Sequence, residues 1–489
     1  MMKLKDVLKG VPHKADRDIS RVTVKKITND SRRVARGDLF IALRGYDIDG
    51  YKFIRSAIKN GAGVVVSERD FKAPEDVIKI LIKDTRRASP LLAANFYREP
   101  SRKMKITGVT GTNGKTTITY IMENILKEAG KPSGVIGTIN HRIGRREFPS
   151  NNTTPGPLEL QALFDIMLKN GVKHVVMEVS SHSLDQGRAN GVLFDVGIFT
   201  NITKEHLDYH KTMKKYFSAK VKLFDHMKPG GVAVLNNDDA MVSGLKRRIK
   251  EKVLTYGLKN KSDVMACGIR LSAGGTFFTI KTPNGSFDVT TRLIGRHNIS
   301  NILASVAAAM ALKIPPGTIK KGIESFSAVP GRLELVDEGQ PFKVFVDYAH
   351  TEDALYNILS LLREVVPDRN IITVFGCGGN RDSRKRPLMG NVACKFSDSV
   401  VVTSDNPRFE EPGAIISQIE SGIRGEFSNY DLVEDRREAI DKALRMASKG
   451  DVVVIAGKGH EKYQIVRDKI LPFDDCEIVR EMLAGFRKR

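Results

Sequence analysis

The run Gly108-Val109-Thr110-Gly111-Thr112-Asn113-Gly114-Lys115-Thr116-Thr117 carries the plainest chemistry in the chain. Glycines at this density let backbone N–H groups turn inward around a phosphate, and a helix N-terminus behind them adds positive potential. Lys115 supplies a charge for the β- and γ-phosphates, and Thr116 supplies a hydroxyl for Mg²⁺. Gly108 precedes Gly114 by six positions, one more than in the common phosphate-loop spacing. A strand-to-helix turn that binds nothing is the plainer alternative, and the Gly-Lys-Thr at the helix start argues against it. Glu178 closes the apolar run Val175-Val176-Met177. A carboxylate at the C-terminal end of a strand in a doubly wound sheet lies beside such a loop, where a metal ligand or catalytic acid is needed. His206 lies in Glu205-His206-Leu207-Asp208-Tyr209-His210, two histidines and two acids in six residues, which suits a ligand or an acid–base group better than a lone core histidine.

These groups need a strand before the loop and a helix after it. Lys105 to Thr110 reads as that strand and Ile118 to Ala129 as that helix. The surrounding chain divides into three blocks: 1–101, 102–332 and 333–489. The first has short β-like runs at Leu39 to Leu43, Gly63 to Val66 and Val77 to Ile82. In the second, strands are expected at Val172 to Val179, Val192 to Ile198 and Gly231 to Leu235, and an Ala-rich helix at Asn298 to Leu312. The third begins after Pro330-Gly331-Arg332 and has apolar runs at Lys343 to Val346, Ile371 to Phe375, Ser399 to Thr403 and Asp451 to Ile455, the pattern of a parallel βαβ domain.

The chain has 489 residues, enough for about three domains. Hydrophobic residues at 41% and charged residues at 28% exclude a disordered chain. No apolar stretch has the length of a membrane span, and the first residues lack the apolar core of a secretory signal. The four cysteines are too scattered for a disulfide scaffold or a zinc knuckle, which fits a reducing cytoplasm. The 79 Lys and Arg exceed the 57 Asp and Glu by 22, but they are spread along the chain. The densest cluster, Lys246-Arg247-Arg248 with Lys250 and Lys252, reads as the solvated face of a polar helix. RNP aromatics and zinc-finger spacing are absent. A basic P-loop protein binding nucleic acid would leave the third block's motifs unexplained.

Those motifs carry a resemblance. Asp30-Ser31-Arg32 and Gly37-Asp38-Leu39-Phe40 stand in the first block. The second contributes Gly111 to Thr116, Asn152-Thr153-Thr154-Pro155, Glu178 to His182, Glu205 to Asp208 and Gly295-Arg296-His297-Asn298. The third contributes Asp347 to Thr351, Gly376 to Gly379, Asp405-Asn406-Pro407-Arg408 and Gly457-Lys458-Gly459-His460-Glu461. In this order, over nearly the whole chain, the sequence resembles the Mur ligases, the ATP-dependent amide-forming enzymes of peptidoglycan precursor synthesis.

The resemblance implies three α/β domains: a UDP-binding N-terminal domain, a central P-loop domain with a parallel sheet, and a Rossmann-like C-terminal domain. It implies ATP bound by Thr110, Gly111, Thr112, Asn113, Gly114, Lys115, Thr116, His297, Asn298 and Arg332. The UDP-N-acetylmuramoyl-dipeptide would meet Ser31, Tyr46, Asp47, Ile48, Asn152, Thr153, Thr154, Ser180, Gln186 and Arg188. Lys220 matches the family's carbamylated lysine, and with Thr116, Glu178 and His206 it would complete a Mg²⁺ site. Lys115, Glu178, His206 and Lys220 would then be the catalytic set. Arg381, Asp405, Asn406, Pro407, Arg408, Gly457 and Glu461 would hold the incoming amino acid. Arg408 can pair with the distal carboxylate of meso-diaminopimelate, the favoured substrate. Asn380 stands where diaminopimelate-adding members often carry Asp, which keeps L-lysine or D-lysine as the alternative. A folylpolyglutamate synthetase-like ligase is a more distant one. The family further implies a cytoplasmic monomer that neither binds nucleic acid nor inserts in a membrane.

Overall fold

The structure, a computed structural model, describes residues 1–45, 48–144, 146–150 and 152–486, the side chain of Phe486 excepted. The chain forms two compact units. The first comprises Met1–Cys267, Thr279–Asp288 and Ser300–Ser325, and the second Gly268–Phe278, Val289–Ile299 and the chain from Phe326.

The first unit contains two large sheets besides the short antiparallel pair Met2–Lys3 and Thr23–Val24. The smaller runs in the order Lys14–Ala15, Ile78–Leu81, Ala62–Ser67, Asp38–Ile41, Ile27–Thr28, parallel except for Lys14–Ala15. Successive side chains leave its strands on opposite faces. Leu39, Ile41, Val64, Val66 and Ile80 therefore pack with Leu92 on one side, while Phe40 and Val65 pack with Ile54 and Ala57 on the other.

The larger sheet has a parallel core in the order Ser133–Ile136, His174–Glu178, Lys105–Thr110, Phe194–Phe199, Met227–Asn236, Lys252–Gly257. Its strands are almost continuously apolar because helices cover both faces. Register decides the rest: Glu178 pairs with Val109, and Phe199 pairs with Thr110. The C-terminal ends of three strands are thereby brought level at the mouth of the phosphate loop.

The basic stretch expected as a polar helix folds differently. Gly244–Arg247 makes one 3-10 turn, and Lys252 opens a strand to Gly257. Tyr256, buried in that strand, supplies the apolar anchor that overrides the polar pattern upstream. Three further strands, Val264–Ser272, Gly275–Thr282 and Gly285–Thr291, fill a region with no strong apolar run.

The main sheet of the second unit, beside the hairpin Tyr463–Val466 and Lys469–Pro472, runs Glu334–Val336, Lys343–Asp347, Val452–Ala456, Ile371–Phe375, Ser399–Val402, Tyr430–Leu432, parallel except for its first strand. Alternate residues again divide between two cores, Phe345, Phe375, Val400 and Val454 in one and Val344, Val374, Val401 and Val453 in the other. Arg436 and Asp475, both fully buried, tie the helices Arg436–Met446 and Asp475–Phe486 through two bonds of 2.9 and 2.7 Å. Arg436 also donates to the Ala456 carbonyl at 3.1 Å. Asp475→Asn strands that guanidinium's charge in the core. It is expected to cost about 3–5 kcal/mol of stability, read from denaturant midpoints.

The four cysteines are free. Cys377, Cys394 and Cys476 are buried, and burial raises all three thiols, Cys377 to about 12 and Cys394 to about 11. Among the described residues no helix is long and apolar enough to cross a membrane.

Candidate active site

The phosphate loop requires its glycines. Gly111 has φ 142°, and a Cβ there would lie 1.8 Å from Thr200 Oγ1. Gly114 has φ 90°, and its Cβ would meet Asn301 Oδ1 at 2.3 Å. The helix Lys115–Glu128 starts from Gly114 with no side-chain cap, so its leading N–H groups are left to an incoming anion. Lys115 Nζ folds back over the loop and donates to the carbonyls of Gly111 at 3.0 Å and Thr112 at 2.8 Å. Thr112 Oγ1 lies 3.2 Å from Tyr216 Oη, and the Asn113 N–H donates to Asn201 Oδ1 at 3.0 Å. Thr110 Oγ1 is buried without a partner.

Glu178, 1% exposed, is held from two sides. Thr116 Oγ1 donates to its Oε1 at 3.0 Å, as does the Thr138 N–H at 2.9 Å, while Thr138 Oγ1 donates to Oε2 at 3.0 Å. A Cβ at Gly137 would stand 2.7 Å from Oε1. Gly137 and Thr138 were missed by the sequence reading. Their signal was faint: a small residue and a hydroxyl just past the short strand Ser133–Ile136.

Lys220 lies in the helix Met213–Val221, 1% exposed. Its Nζ donates to the Gly111 carbonyl at 2.7 Å and lies 4.6 Å from the centre of the Tyr216 ring. Burial, reinforced by the charge of Lys115 and opposed by Glu205, lowers its pKa to about 6. The amine is thus largely uncharged at neutral pH. His206 has φ 54° and starts the short helix Leu207–His210. Its ring meets His182 edge-on at 4.8 Å, and its Nε2 is 3.7 Å from Glu205 Oε2. Lys220 and His206 share Tyr216 as a neighbour. Among the described residues no group of three His, Cys, Asp or Glu side chains could hold a metal. Thr116 and Glu178 bring a hydroxyl and a carboxylate together, oxygen donors of the kind Mg²⁺ takes, whereas the His206 imidazole and the Lys220 amine offer nitrogen; of the four, the hydroxyl–carboxylate pair fits the ion as it stands, and Lys220 would fit it only as an oxygen-bearing carbamate.

The expected dipeptide-binding residues gather beside Glu178. Thr154 Oγ1 donates to the Glu178 carbonyl at 2.9 Å and accepts from the Ser180 N–H at 3.1 Å. Thr153 Oγ1 is 3.0 Å from Thr138 Oγ1, and the Asn152 carbonyl accepts from Ser150 Oγ. Arg188 grips Gln186 Oε1 through Nε at 2.8 Å and Nη2 at 2.5 Å, and Nη1 reaches the Thr154 carbonyl at 3.3 Å. Ser180 Oγ accepts from the Ser183 N–H and caps the helix Ser181–Asp185. In the smaller sheet's region, Ser31 is buried in a turn capped by Asp30, and its carbonyl accepts from Asn60. Ile48 is exposed, and Tyr46 and Asp47 lie outside the described residues.

In the second unit, Gly295 has φ 98° and His297 is exposed. Asn298 does not cap its helix, which begins at Arg296; its Nδ2 bonds the Ile294 carbonyl at 2.9 Å inside the first turn. The Arg332 guanidinium is 5.2 Å from the Tyr348 ring centre. Around Asp405-Asn406-Pro407-Arg408 the contacts are dense. The Asn406 N–H donates to Asp405 Oδ1 at 2.6 Å, and a Cβ at Gly457 would lie 2.6 Å from Asp405 Oδ2. Asn406 Nδ2 donates to Glu461 Oε2 at 2.8 Å. Arg408, with φ 53°, donates through Nη1 to the Gly379 carbonyl at 2.8 Å, and Arg381 is exposed nearby. Pro407 ends the approach: a Cβ on Gly379 would be 1.9 Å from its carbonyl oxygen.

Asn380 has a local explanation. Its φ is 52°, a conformation Asn adopts more readily than most residues. Its N–H donates to Glu410, and its Oδ1 accepts from the Phe409 N–H at 3.1 Å. A neutral amide avoids adding a charge beside the Glu410 carboxylate.

Comparison with known proteins sets this geometry among relatives. The Mur ligase middle domain matches residues 109–309, the glutamate ligase domain of Mur ligases matches 331–459, and the catalytic domain of the Mur ligase family matches 23–97. A UDP-N-acetylmuramoyl-L-alanyl-D-glutamate–2,6-diaminopimelate ligase of Geobacillus kaustophilus is 47% identical, covering 92% of this chain and 93% of its own. The ligase of the same name from Caldanaerobacter subterraneus is 44% identical over 100% of both chains. A solved structure of a ligase of that name superposes with a TM-score of 0.75 at 33% identity, covering 99% of both chains. With matches this long across all three family domains, the chain belongs to the Mur ligase family.

Proposed function

We propose that the chain adds meso-diaminopimelate to UDP-N-acetylmuramoyl-L-alanyl-D-glutamate at the expense of ATP. The observation that carries this reading is Arg408, held by the Gly379 carbonyl two residues from Asn406, which itself holds Glu461. A guanidinium, an amide and a carboxylate so arranged match a substrate with both a distal carboxylate and an ammonium. The relatives above bear the name of that reaction.

In the first step an oxygen of the substrate carboxylate bonds to the γ-phosphorus of ATP, and ADP leaves. The amine then bonds to the acyl carbon, loses a proton, and inorganic phosphate leaves. The loop N–H groups and Lys115 hold the phosphates while charge shifts between them. Lys115 exchanges its two loop carbonyls for phosphate oxygens. Thr116, Glu178, His206 and Lys220 as its carbamate would hold Mg²⁺, which when bound neutralises phosphate charge. Thr153, Thr154, Ser180, Gln186 and Arg188 would orient the dipeptide end, and Ser31 would meet the UDP end. Asn298 and Arg332 would contact the nucleotide. Residues 1–101, 102–332 and 333–489 are thus assigned to UDP-substrate, ATP and amino acid, in a cytoplasmic monomer.

Phosphate release tests the reading with UDP-N-acetylmuramoyl-L-alanyl-D-glutamate and, in turn, meso-diaminopimelate, L-lysine and D-lysine. Diaminopimelate should turn over fastest. Arg408→Ala should raise its KM about 10–100-fold and leave the KM for ATP unchanged. Faster turnover with lysine would replace the amino acid assigned, and no release with any of the three would sink the ligase reading.

A further inference from the structure

Lys458 is 0% exposed, at the bend between the strand Val452–Ala456 and the hairpin strand Tyr463–Val466. A lysine is almost never fully buried unless it is paired. Its Nζ donates to the Tyr463 carbonyl and to Asn406 Oδ1 at 3.4 Å, and it stands 3.9 Å from Glu461 Oε2. Asn406 Oδ1 also accepts from the Ile465 N–H at 2.9 Å. Two donors on one oxygen fix the amide's orientation, so that its Nδ2 must point at Glu461 Oε2. Glu461 is therefore held through one oxygen, and its other oxygen remains for a ligand.

Resting on the diaminopimelate reading above, we infer that Lys458 is a positioning residue for the incoming amino acid. It locks Asn406 and sets a positive charge 3.9 Å from Oε2 of Glu461, the carboxylate that receives an ammonium group. The charged and titratable groups around Glu461 are Lys458, Arg408 and Arg436 on the positive side, with Asp405, Tyr348 and Tyr463 opposing. Burial raises the Glu461 carboxyl, with Asp405 adding to that; the Asn406 hydrogen bond, Lys458 and Arg408 pull it down. Burial also lowers the Lys458 ammonium, which Asp405, Asp475 and Glu461 favour.

The test is the pH profile of kcat/KM for the diamino acid in wild type, Lys458→Gln, Glu461→Gln and the double variant. Lys458→Gln should raise the diamino acid's KM about tenfold, leave the KM for ATP and for the UDP-substrate within about twofold, and move the acidic limb upward by about half a pH unit or more. In the Glu461→Gln background the same substitution should have little further effect. Equal losses for all three substrates with an unmoved limb would mark Lys458 as a fold element and overturn the inference, as would an undiminished effect in the Glu461→Gln background. If Lys458→Gln does not fold, Lys458→Arg carries the test. It keeps the charge and must keep the wild-type limb, and a limb shifted upward overturns the inference. Absence of wild-type turnover with every diamino acid would instead refute the underlying reading.

Discussion

Lys220→Met is expected to lose amide formation by more than about a hundredfold and to melt at a higher temperature than the wild type. The two effects share one cause. A lysine with an ordinary pKa of 10.5 sits here with a pKa of about 6, because it is buried and faces Lys115. Between those values the unfolded chain binds more protons than the folded one, so stability rises with pH across that window. The cost is complete below pH 6 and vanishes above about 10.5. Methionine has similar length and no charge to desolvate, and the Gly111 carbonyl it abandons keeps its bond from Lys115. The gain in melting temperature should thus be clear at pH 7 and shrink by pH 10 in CO₂-free buffer. The activity loss follows from the same neutral amine. Only the free base has a lone pair to attack CO₂; an N–C bond forms, a proton leaves, and the product is an anion with two oxygens. Full activity in the variant would remove Lys220 from the proposed site, and a lower melting temperature would contradict the buried neutral amine.

The second large effect is expected at Gly111→Ala, which should lower kcat/KM for ATP by about a hundredfold or more. The new methyl group would fall 1.8 Å from Thr200 Oγ1, and φ 142° is a conformation that alanine avoids. Thr200 Oγ1 donates to the Asn113 carbonyl at 2.6 Å, so the clash displaces the loop itself. Adding Thr200→Ala removes the clash but not the backbone strain, and should restore part of the loss. Steady-state kinetics on the single and double variants decide this. An inert Gly111→Ala, or a double variant worse than the single, would contradict the loop geometry.

What the sequence revealed follows a physical divide. Ile371–Phe375 and Lys105–Thr110 are strands with the bounds expected of them, and Lys343–Asp347 runs one residue past its apolar run, because strands buried on both faces read as near-continuous apolar runs. The helix after the phosphate loop begins at Lys115, three residues earlier than its apolar pattern suggested, since the loop itself provides the first turn. Strands between Val264 and Thr291 alternate buried and exposed residues and read weakly against the polar background. At the site, Glu178 was legible from its place at a strand end. Thr138 and Gly137 were not, because a hydroxyl and a glycine past a short strand have many ordinary uses. Lys220 was invisible to composition and patterning: its burial depends on Tyr216 and Gly111, contacts that no local window contains.

The cysteines have a practical consequence for labelling. Electrophiles react with thiolate, and burial holds Cys377, Cys394 and Cys476 as thiols out of reach at neutral pH. Cys267 is half-buried on the strand Val264–Ser272. The unaltered chain therefore offers maleimides one preferred attachment point, so a fluorophore can be placed without first removing native thiols.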